Sequence, residues 1–336
     1  MAFAQLCRNS HMWSTASRGL ARGYAAAAAG GKVDIKALKR LRELNPVSMS
    51  KAKEALLSSG NDIDRALAWL EKDAVSSGAR KAEKVKGRAA TEGAVAVHVN
   101  AAQTAAAIVE LGCETDFVAR NATFVDLAAA IAGAGVDFAR SDVLAGIEID
   151  GLAKAALGDR SVGDAVTETI GRLGENMVLR RAAAVGAGTE RDTVVSGYVH
   201  GAVAGSDGAA AGKIGGLVVV RSSGADTDAH RATLAQLARR LAQQVVGYAP
   251  RFRTVAEWQH ARAAGAEDCG EEPEACVLEA QQFLFGGGTV AEVLAKVSQG
   301  VGAPVDVVSF VRFERGEGVE KAARPDFAEE VRQQLA

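Results

Sequence analysis

The order strand, strand, helix occurs twice in this chain, and it limits the possible fold more than any other feature. Valine alternates with other residues over 95–99, which is the period of a half-buried strand, and 106–111 follows as a second strand across a short turn. Apolar residues at helical spacing then occupy 124–131. The order returns about 100 residues later as two strands and a helix, at 194–200, 217–221 and 231–246. Hairpin-linked strands with helices on one side predict an α+β core of two related subdomains with antiparallel sheets.

Other elements lie between and after these two halves. The sequence predicts helices at 164–173, 289–297 and 326–334, and strands at 176–181 and 305–313. The predicted organisation is a transit peptide (1–31), a helical bundle (32–73), a basic linker (74–92) and two core subdomains (93–186 and 187–336).

The predicted bundle contains three short helices. The first ends at Asn45, because a residue that precedes proline is driven out of the α region. Gly60 supplies the left-handed stop of the second helix. So small a bundle favours binding over catalysis. The turn at 46–49 is apolar, and it forms either an internal staple between the helices or a contact with a partner.

The amino-terminal segment has the composition of an organelle transit peptide. Asp34 is the first acidic residue, whereas Arg8, Arg18 and Arg22 precede it among serines and alanines. A disordered tail is the alternative. The short, arginine-based segment predicts the mitochondrial matrix in preference to a plastid, with a mature amino terminus within 24–32.

The charge balance limits the classes of partner. The chain has 39 Lys and Arg against 41 Asp and Glu, so it lacks the overall positive charge of a general DNA-coating protein. The basic segment 80–88 could serve a ribosome- or RNA-binding module, which is the alternative function. No aromatic residue interleaves its charges, so we expect no nucleic-acid contact there. No apolar run reaches the ~20 residues that span a bilayer, so we expect no membrane partner.

Patterns of cofactor and catalytic chemistry are absent from the sequence. The 4 cysteines form no CxxC pair and the histidines no paired-ligand spacing, so we assign no metal. The nearest phosphate-loop match has Asp207 where glycine is required and Ile214 where Ser or Thr is required, which predicts no cofactor and no direct nucleotide binding. Cys113 and His98 could form a nucleophilic pair, yet a lone cysteine beside a strand is more often a small core residue. We therefore expect no enzyme.

One segment stands out as a candidate partner-binding site. Thr115, Asp116, Phe117 and Val118 lie at a predicted strand-to-helix junction, where an acid and a ring could project towards a partner. Residue types alone favour a different interpretation, in which Phe117 anchors the core and Asp116 caps the helix.

The motif at 115–120 is similar to the most specific motif of the elongation factor Ts family, the guanine-nucleotide exchange factors of the translational GTPase elongation factor Tu. The resemblance covers nearly everything from Asp34 onward, with further motifs in order at 60–63, 174–176, 198–201 and 312–321. It implies a ubiquitin-associated-like three-helix bundle before two α+β subdomains, and exchange of nucleotide for organelle protein synthesis.

The resemblance also implies contact residues. Residues matching Thr115, Asp116, Phe117 and Val118 press against the GTPase near its magnesium site, so that magnesium and GDP are lost. Leu173, Gly174 and His200 match other contact positions, and Val47 and Met49 match apolar residues that grip a separate helix of the GTPase. Three departures stand out: a long loop at 201–213, a stretch at 251–285 too short for the projecting coiled coil of many bacterial members, and a Pro-Val-Ser turn at 46–48 in place of a glycine-rich one. The first two resemble organelle versions.

Overall fold

The computed structural model describes residues 32–45, 47, 49–186, 192–204, 210–223, 227–265 and 272–319. The predicted transit peptide and the predicted helix at 326–334 lie outside these residues. The chain divides into two compact units, Met1–Asp73 and Ala74–Ala336. Each unit is described by itself below.

The first unit contains the predicted helical bundle. Its helices are α1 (Ile35–Leu44), α2 (Met49–Ser58) and the first part of α3 (Ile63–Val85). Asp34 caps α1, since its carboxylate accepts a hydrogen bond of 2.8 Å from the backbone N–H of Lys36. The three helices bury one shared apolar cluster, which includes Leu41, Leu56, Ala66 and Leu70.

The remaining helices and strands belong to the second unit. The helices are α4 (Asp116–Ala119), α5 (Ala122–Gly135), α6 (Ile149–Ala153), α7 (Val162–Leu173), α8 (Asp228–Tyr248), α9 (Val255–Ala263), α10 (Pro273–Cys276) and α11 (Val290–Val301). The strands are β1 (Glu92–Val99), β2 (Ala105–Cys113), β3 (Ala145–Gly146), β4 (Ala156–Leu157), β5 (Arg160–Ser161), β6 (Met177–Gly186), β7 (Thr193–His200), β8 (Val203–Ala204), β9 (Ala210–Gly212), β10 (Ile214–Ser222) and β11 (Val305–Glu314).

The main strands form two antiparallel sheets. In the described part of the chain the first sheet has the order β3-β6-β2-β1-β9-β8 and the second has the order β11-β10-β7, while β4 and β5 form a separate hairpin. The predicted α+β class, with a helix cluster before antiparallel sheets, is therefore confirmed.

The core of the second unit has four layers. Helix α5 covers one face of the first sheet and α7 packs against α5, in one cluster whose buried side chains include Phe124, Ile131, Val109 and Leu111. The other face of that sheet packs on the second sheet through residues that include Val95, Ile108, Leu217 and Val219. Helices α8 and α11 cover the far side of the second sheet. Neighbouring residues of β2 thus alternate between the helix layer and the second sheet, as the period of a strand requires.

Two glycines allow the sheets to approach each other closely. A Cβ at Gly197 would lie 2.5 Å from Val97 Cγ1, and one at Gly215 would lie 2.6 Å from Val95 Cγ1. A side chain at either position would overlap with the valine on the facing sheet.

Two predicted boundaries differ from the structure. Strands β8 and β9 lie at the edge of the first sheet, although their sequence falls after the predicted boundary at 186/187. Residues 74–85, predicted as linker, continue α3. In this extension Val85 is buried in the core beneath the first sheet, and a Cβ at Gly78 would lie only 3.0 Å from the Thr167 carbonyl oxygen of α7. Among the side chains described in 78–85, Val85 is buried and Ala82 packs against the same core, and the basic residues between and around them obscure the apolar period that would predict a helix.

None of the described helices combines the length and apolar character needed to cross a membrane. Within the same residues, His, Cys, Asp and Glu side chains form no cluster suited to a metal ion.

Candidate functional site

Several predicted contact residues lie at one end of the two-sheet core. In the first sheet, Cys113 pairs with Glu92 and with Met177, so these three residues mark that end. In the second sheet, Ile214 pairs with both His200 and Glu314. The Arg315 side chain joins the two sheets here through an ion pair of 2.8 Å with Glu92. The segments that follow Cys113 and precede Met177 therefore emerge on the same side as His200.

Thr115 begins α4, the single helical turn that carries the candidate motif. The Thr115 hydroxyl accepts a hydrogen bond from the Val118 N–H at 3.3 Å, so Thr115 and not Asp116 is the helix cap. Val118 and Ala119 are buried in the core, whereas the Phe117 side chain is 84% exposed. The alternative in which Phe117 anchors the core is therefore wrong.

Asp116 has a partner on the same turn. The Arg120 guanidinium lies 2.7 Å from a carboxylate oxygen of Asp116, and the side chains are 64% exposed for Arg120 and 42% exposed for Asp116. Asp116 and Phe117 are adjacent in the chain, so a carboxylate and an exposed ring lie side by side at the surface.

A second segment is hydrogen-bonded to this motif. Glu175 accepts two bonds from Thr115: its Oε2 from the backbone N–H at 3.0 Å, and its Oε1 from the hydroxyl at 2.6 Å. In the other direction, Glu114 Oε1 accepts the backbone N–H of Asn176 at 2.7 Å. Three hydrogen bonds therefore join the segment that contains Glu114 and Thr115 to the segment that contains Glu175 and Asn176.

Leu173 and Gly174 directly precede this junction. Gly174 ends α7 in the left-handed conformation at φ 81°, which is favourable for glycine, and its N–H bonds the Ile170 carbonyl at 2.8 Å. Leu173 is half-buried against the first core cluster. The structure thus brings Leu173 and Gly174 to the same place as Thr115, although the two segments are far apart in sequence.

The remaining predicted contact residues are His200 in the second unit, and Val47 and Met49 in the first. His200 is exposed at the end of β7, where its carbonyl accepts the N–H of Lys213 at 3.0 Å. Val47 is half-buried and Met49 is 47% exposed in the first unit, while Pro46 and Ser48 of the same turn are outside the described residues. Their shared role with the motif stays a prediction.

Cys113 is not placed as a nucleophile. Its side chain is buried, and its Sγ donates to the Thr115 carbonyl at 3.2 Å. Burial and the nearby Glu175 carboxylate raise the pKa of the thiol to about 12. His98 pairs with Ala107, which lies six positions before Cys113 on β2. His98 and Cys113 are therefore separated by about 20 Å along the sheet, so the proposed nucleophilic pair does not form.

The basic segment is partly engaged within the chain. The Lys81 ammonium donates to the Gly171 carbonyl near the end of α7 at 2.5 Å, and Lys86 lies 3.6 Å from Glu83. The Arg88 carbonyl accepts a bond of 2.8 Å from the Asn176 side chain. These contacts give part of the segment a role in supporting α7 and the loop after it.

The carboxyl-terminal motif contacts a buried carboxylate, that of Glu110, which sequence reasoning missed. Glu110 on β2 is 1% exposed, and it accepts bonds from Arg181 Nε at 2.6 Å and from the Gly316 N–H at 2.8 Å. Arg181 also lies 2.7 Å from Glu317 and stacks on the Phe313 ring. A charged residue inside an apolar strand was the available indication, because a buried carboxylate requires partners.

The sequence is similar to those of known proteins. The family model described as "Elongation factor TS" matches residues 114–264. Elongation factor Ts of Rhodospirillum rubrum is 36% identical over 322 residues, which cover 89% of this chain and 97% of the relative. Elongation factor Ts of Rhizobium leguminosarum bv. trifolii is 37% identical over 317 residues, which cover 88% of this chain and 96% of the relative.

Proposed function

The chain belongs to the elongation factor Ts family, and from this premise we propose that it is the guanine-nucleotide exchange factor for elongation factor Tu. In this role it promotes GDP release by disturbing the magnesium and phosphate site of the GTPase. Its partner is a protein, and no bond to the nucleotide is made by this chain.

The exposure of Phe117 is the observation that carries the proposal. A phenylalanine side chain gains about 1.5 to 3 kcal/mol when it is fully buried, yet this one remains 84% exposed. Thr115, two residues before it, is hydrogen-bonded to Glu175, and Val118, directly after it, is buried. An apolar ring held outward on a rigid turn is suited to insertion into another protein.

Exchange follows from linkage and needs no covalent step. If the factor binds the nucleotide-free GTPase more tightly than the GDP-bound form, GDP must weaken the binding of the factor by the same ratio. Phe117 supplies apolar contact energy that is available only when the GTPase site opens. Asp116 supplies a negative charge that competes with the phosphates of GDP for the groups around the magnesium ion of the GTPase. Both effects favour the nucleotide-free form.

The proposed compartment is the mitochondrial matrix. Its support is the amino-terminal composition, in which Arg8, Arg18 and Arg22 occur before the first acidic residue, Asp34. Sequencing the amino terminus of the mature protein should find it between Tyr24 and Lys32. A protein that retains Met1 in the cytosol would contradict import.

Stopped-flow measurement of labelled GDP release tests the exchange function. Elongation factor Tu loaded with fluorescent GDP is mixed with excess unlabelled GDP, with and without this chain. We expect release to accelerate and to saturate with the concentration of the chain. The chain mixed with labelled GDP alone is the control, and it should give no saturable change. Equal release with and without the chain would refute the proposal.

Salt dependence separates this function from RNA binding through segment 80–88. RNA binding rests on counterion release and falls steeply with salt, whereas a contact through Phe117 is largely apolar. Retention of exchange at elevated salt is therefore expected, and a factor that binds RNA at low salt without accelerating GDP release would support the alternative.

A further inference from the structure

The direction of Phe117 is set by tertiary contacts. Helix α4 comprises only Asp116–Ala119, and an isolated helix of one turn is unstable in water. Two anchors hold it: the buried side chains of Val118 and Ala119 on one side, and the cap residue Thr115 at its start. The orientation of the exposed ring depends on both anchors.

Glu175 controls the second anchor. A threonine hydroxyl has one proton to donate and lone pairs with which to accept. Because the Thr115 hydroxyl donates its proton to Glu175 Oε1 at 2.6 Å, its lone pairs remain free for the Val118 N–H at 3.3 Å. The other Glu175 oxygen holds the Thr115 backbone N–H at 3.0 Å. One carboxylate thus fixes both the backbone and the rotamer of the cap.

The same contacts connect the motif to the end of α7. Glu175 directly follows Gly174, and the reciprocal bond from the Asn176 N–H to Glu114 at 2.7 Å closes the junction from the other side. Leu173 and Phe117 are therefore held at a fixed separation by groups that are themselves set back from the surface. A partner that meets one of them meets the other in a defined arrangement.

We propose that Glu175 is a positioning residue for nucleotide exchange: its carboxylate orients the turn that carries Phe117 and joins that turn to Leu173 and Gly174 as one contact element. The inference rests on the proposed exchange function and goes beyond it, because Glu175 itself need not touch the GTPase. Loss of the carboxylate leaves Phe117 present but free to move. The GTPase must then order the turn on binding, which reduces the preference for the nucleotide-free form.

The test separates the maximal rate of GDP release from the concentration of factor that gives half of it. For Glu175→Ala we expect the maximal rate to fall about tenfold, which corresponds to about 1.4 kcal/mol, while the half-saturating concentration changes less than about threefold. Glu175→Gln keeps the side-chain volume and one oxygen acceptor, but its amide NH2 group then faces one of the two Thr115 donors. The maximal rate of this variant should therefore lie between those of Glu175→Ala and the wild type.

Glu168→Gln is the matched control. Glu168 is a buried carboxylate within α7, whereas Glu175 follows the helix, and the partners of Glu168 are Arg160 and Arg172 and not the motif. This variant should lower the melting temperature without changing the maximal rate of release. A loss of rate in Glu168→Gln equal to that in Glu175→Ala would attribute the effect to general destabilisation of α7 and would overturn the proposal.

A double-mutant cycle with Thr115 gives an independent readout. Thr115→Val removes the hydroxyl and Thr115→Ser keeps it, so Thr115→Ser should slow release by a smaller factor. Glu175→Ala combined with Thr115→Val should cost no more than about the larger single effect, because both changes break the same bond. Additive losses would contradict positioning through Thr115.

The outcomes distinguish the two proposals. If the wild-type chain does not accelerate GDP release, the exchange function fails and the positioning role fails with it. If the wild type accelerates release and Glu175→Ala matches it at every concentration, the exchange function stands and the positioning role alone is refuted.

Discussion

Arg120 donates a hydrogen bond of 2.7 Å to the Asp116 carboxylate, from four residues further along the turn that carries Phe117. An exposed ion pair of this kind contributes about 0 to 1 kcal/mol, so the carboxylate can leave Arg120 at small cost when another group competes for it. In the free protein, Arg120 therefore partly neutralises the charge of Asp116, whereas the neighbouring Phe117 ring is exposed to solvent.

The first prediction concerns Phe117. Phe117→Ala should slow stimulated GDP release by about one to two orders of magnitude, because it removes about 1.5 to 3 kcal/mol of apolar contact with the partner. The melting temperature should stay nearly constant, since the ring is exposed and contributes little to the core. Stopped-flow kinetics and a thermal melt of the same preparation measure the two effects.

Phe124 and Val143 serve as controls for this prediction. Phe124 is fully buried under the first sheet, so Phe124→Ala should cost about 3 to 5 kcal/mol of folding free energy and lower the melting temperature clearly. Val143 is 50% exposed just before β3, at the end of the first sheet opposite Cys113, and Val143→Ala should leave the release rate unchanged. A Phe117→Ala protein that melts like Phe124→Ala and exchanges normally would contradict the proposed contact.

The second prediction separates Asp116 from Arg120. Asp116→Ala removes the charge that competes with the phosphates, so GDP release should slow about tenfold, whereas Arg120→Gln leaves that carboxylate free and should not slow release. Both variants should melt within about 1 °C to 2 °C of the wild type because their ion pair is exposed. Equal slowing by the two changes would show that the ion pair acts as a unit.

The third prediction concerns Cys113. With a pKa of about 12, this buried thiol is protonated at pH 8, so iodoacetamide should leave it unmodified in the folded protein and alkylate it after unfolding. Peptide mass spectrometry assigns the label to Cys113. Cys113→Ser should retain exchange activity. Loss of activity without loss of folding would instead favour the enzyme interpretation.

The fourth prediction uses the pH dependence of the contact between Glu317 and Arg181. Burial by itself would raise the pKa of the Glu317 carboxyl, but the hydrogen bond and charge of Arg181 hold it below its usual value of 4.5. A carboxyl with a lowered pKa in the folded state stabilises the protein above that usual value and loses the effect as the pH falls through the folded-state pKa.

At pH 7, Glu317→Gln should therefore reduce the free energy of unfolding by less than about 1 kcal/mol, since the carboxylate is about half exposed. The melting temperature should fall slightly as a result. The difference from the wild type should shrink below about pH 4.5 and vanish at lower pH. Thermal melts of both proteins across this range measure it. A difference that grows on acidification would mean that the ion pair does not stabilise the fold.

Much of the architecture could be predicted from local patterns. Alternation at 95–99 located β1, but the predicted half-buried strand is wrong: Ala94, Val95 and Ala96 are all buried, because β1 lies between the helix layer and the second sheet. Apolar spacing in 231–246 places α8, because a helix with one buried face imposes its own period on the sequence. The extension of α3 through 74–85 and the insertion of β8 and β9 into the first sheet were not predictable in this way. Their described contacts join residues that are distant in the sequence, as Lys81 is from Gly171 and Ala211 is from Ala96.

The candidate site divides along the same line. The sequence by itself determined that Thr115, Asp116 and Phe117 form a distinctive motif at a strand-to-helix junction. The strand ends at Cys113, and Thr115, a residue type that caps helices, follows two positions later. Residue types alone pointed to a buried Phe117. Only the tertiary structure decided that the ring is exposed and that Glu175, 60 residues away, holds the turn beneath it. Burial depends on what else packs against a residue, and a hydrogen bond between distant segments leaves no periodic pattern in the sequence of either one.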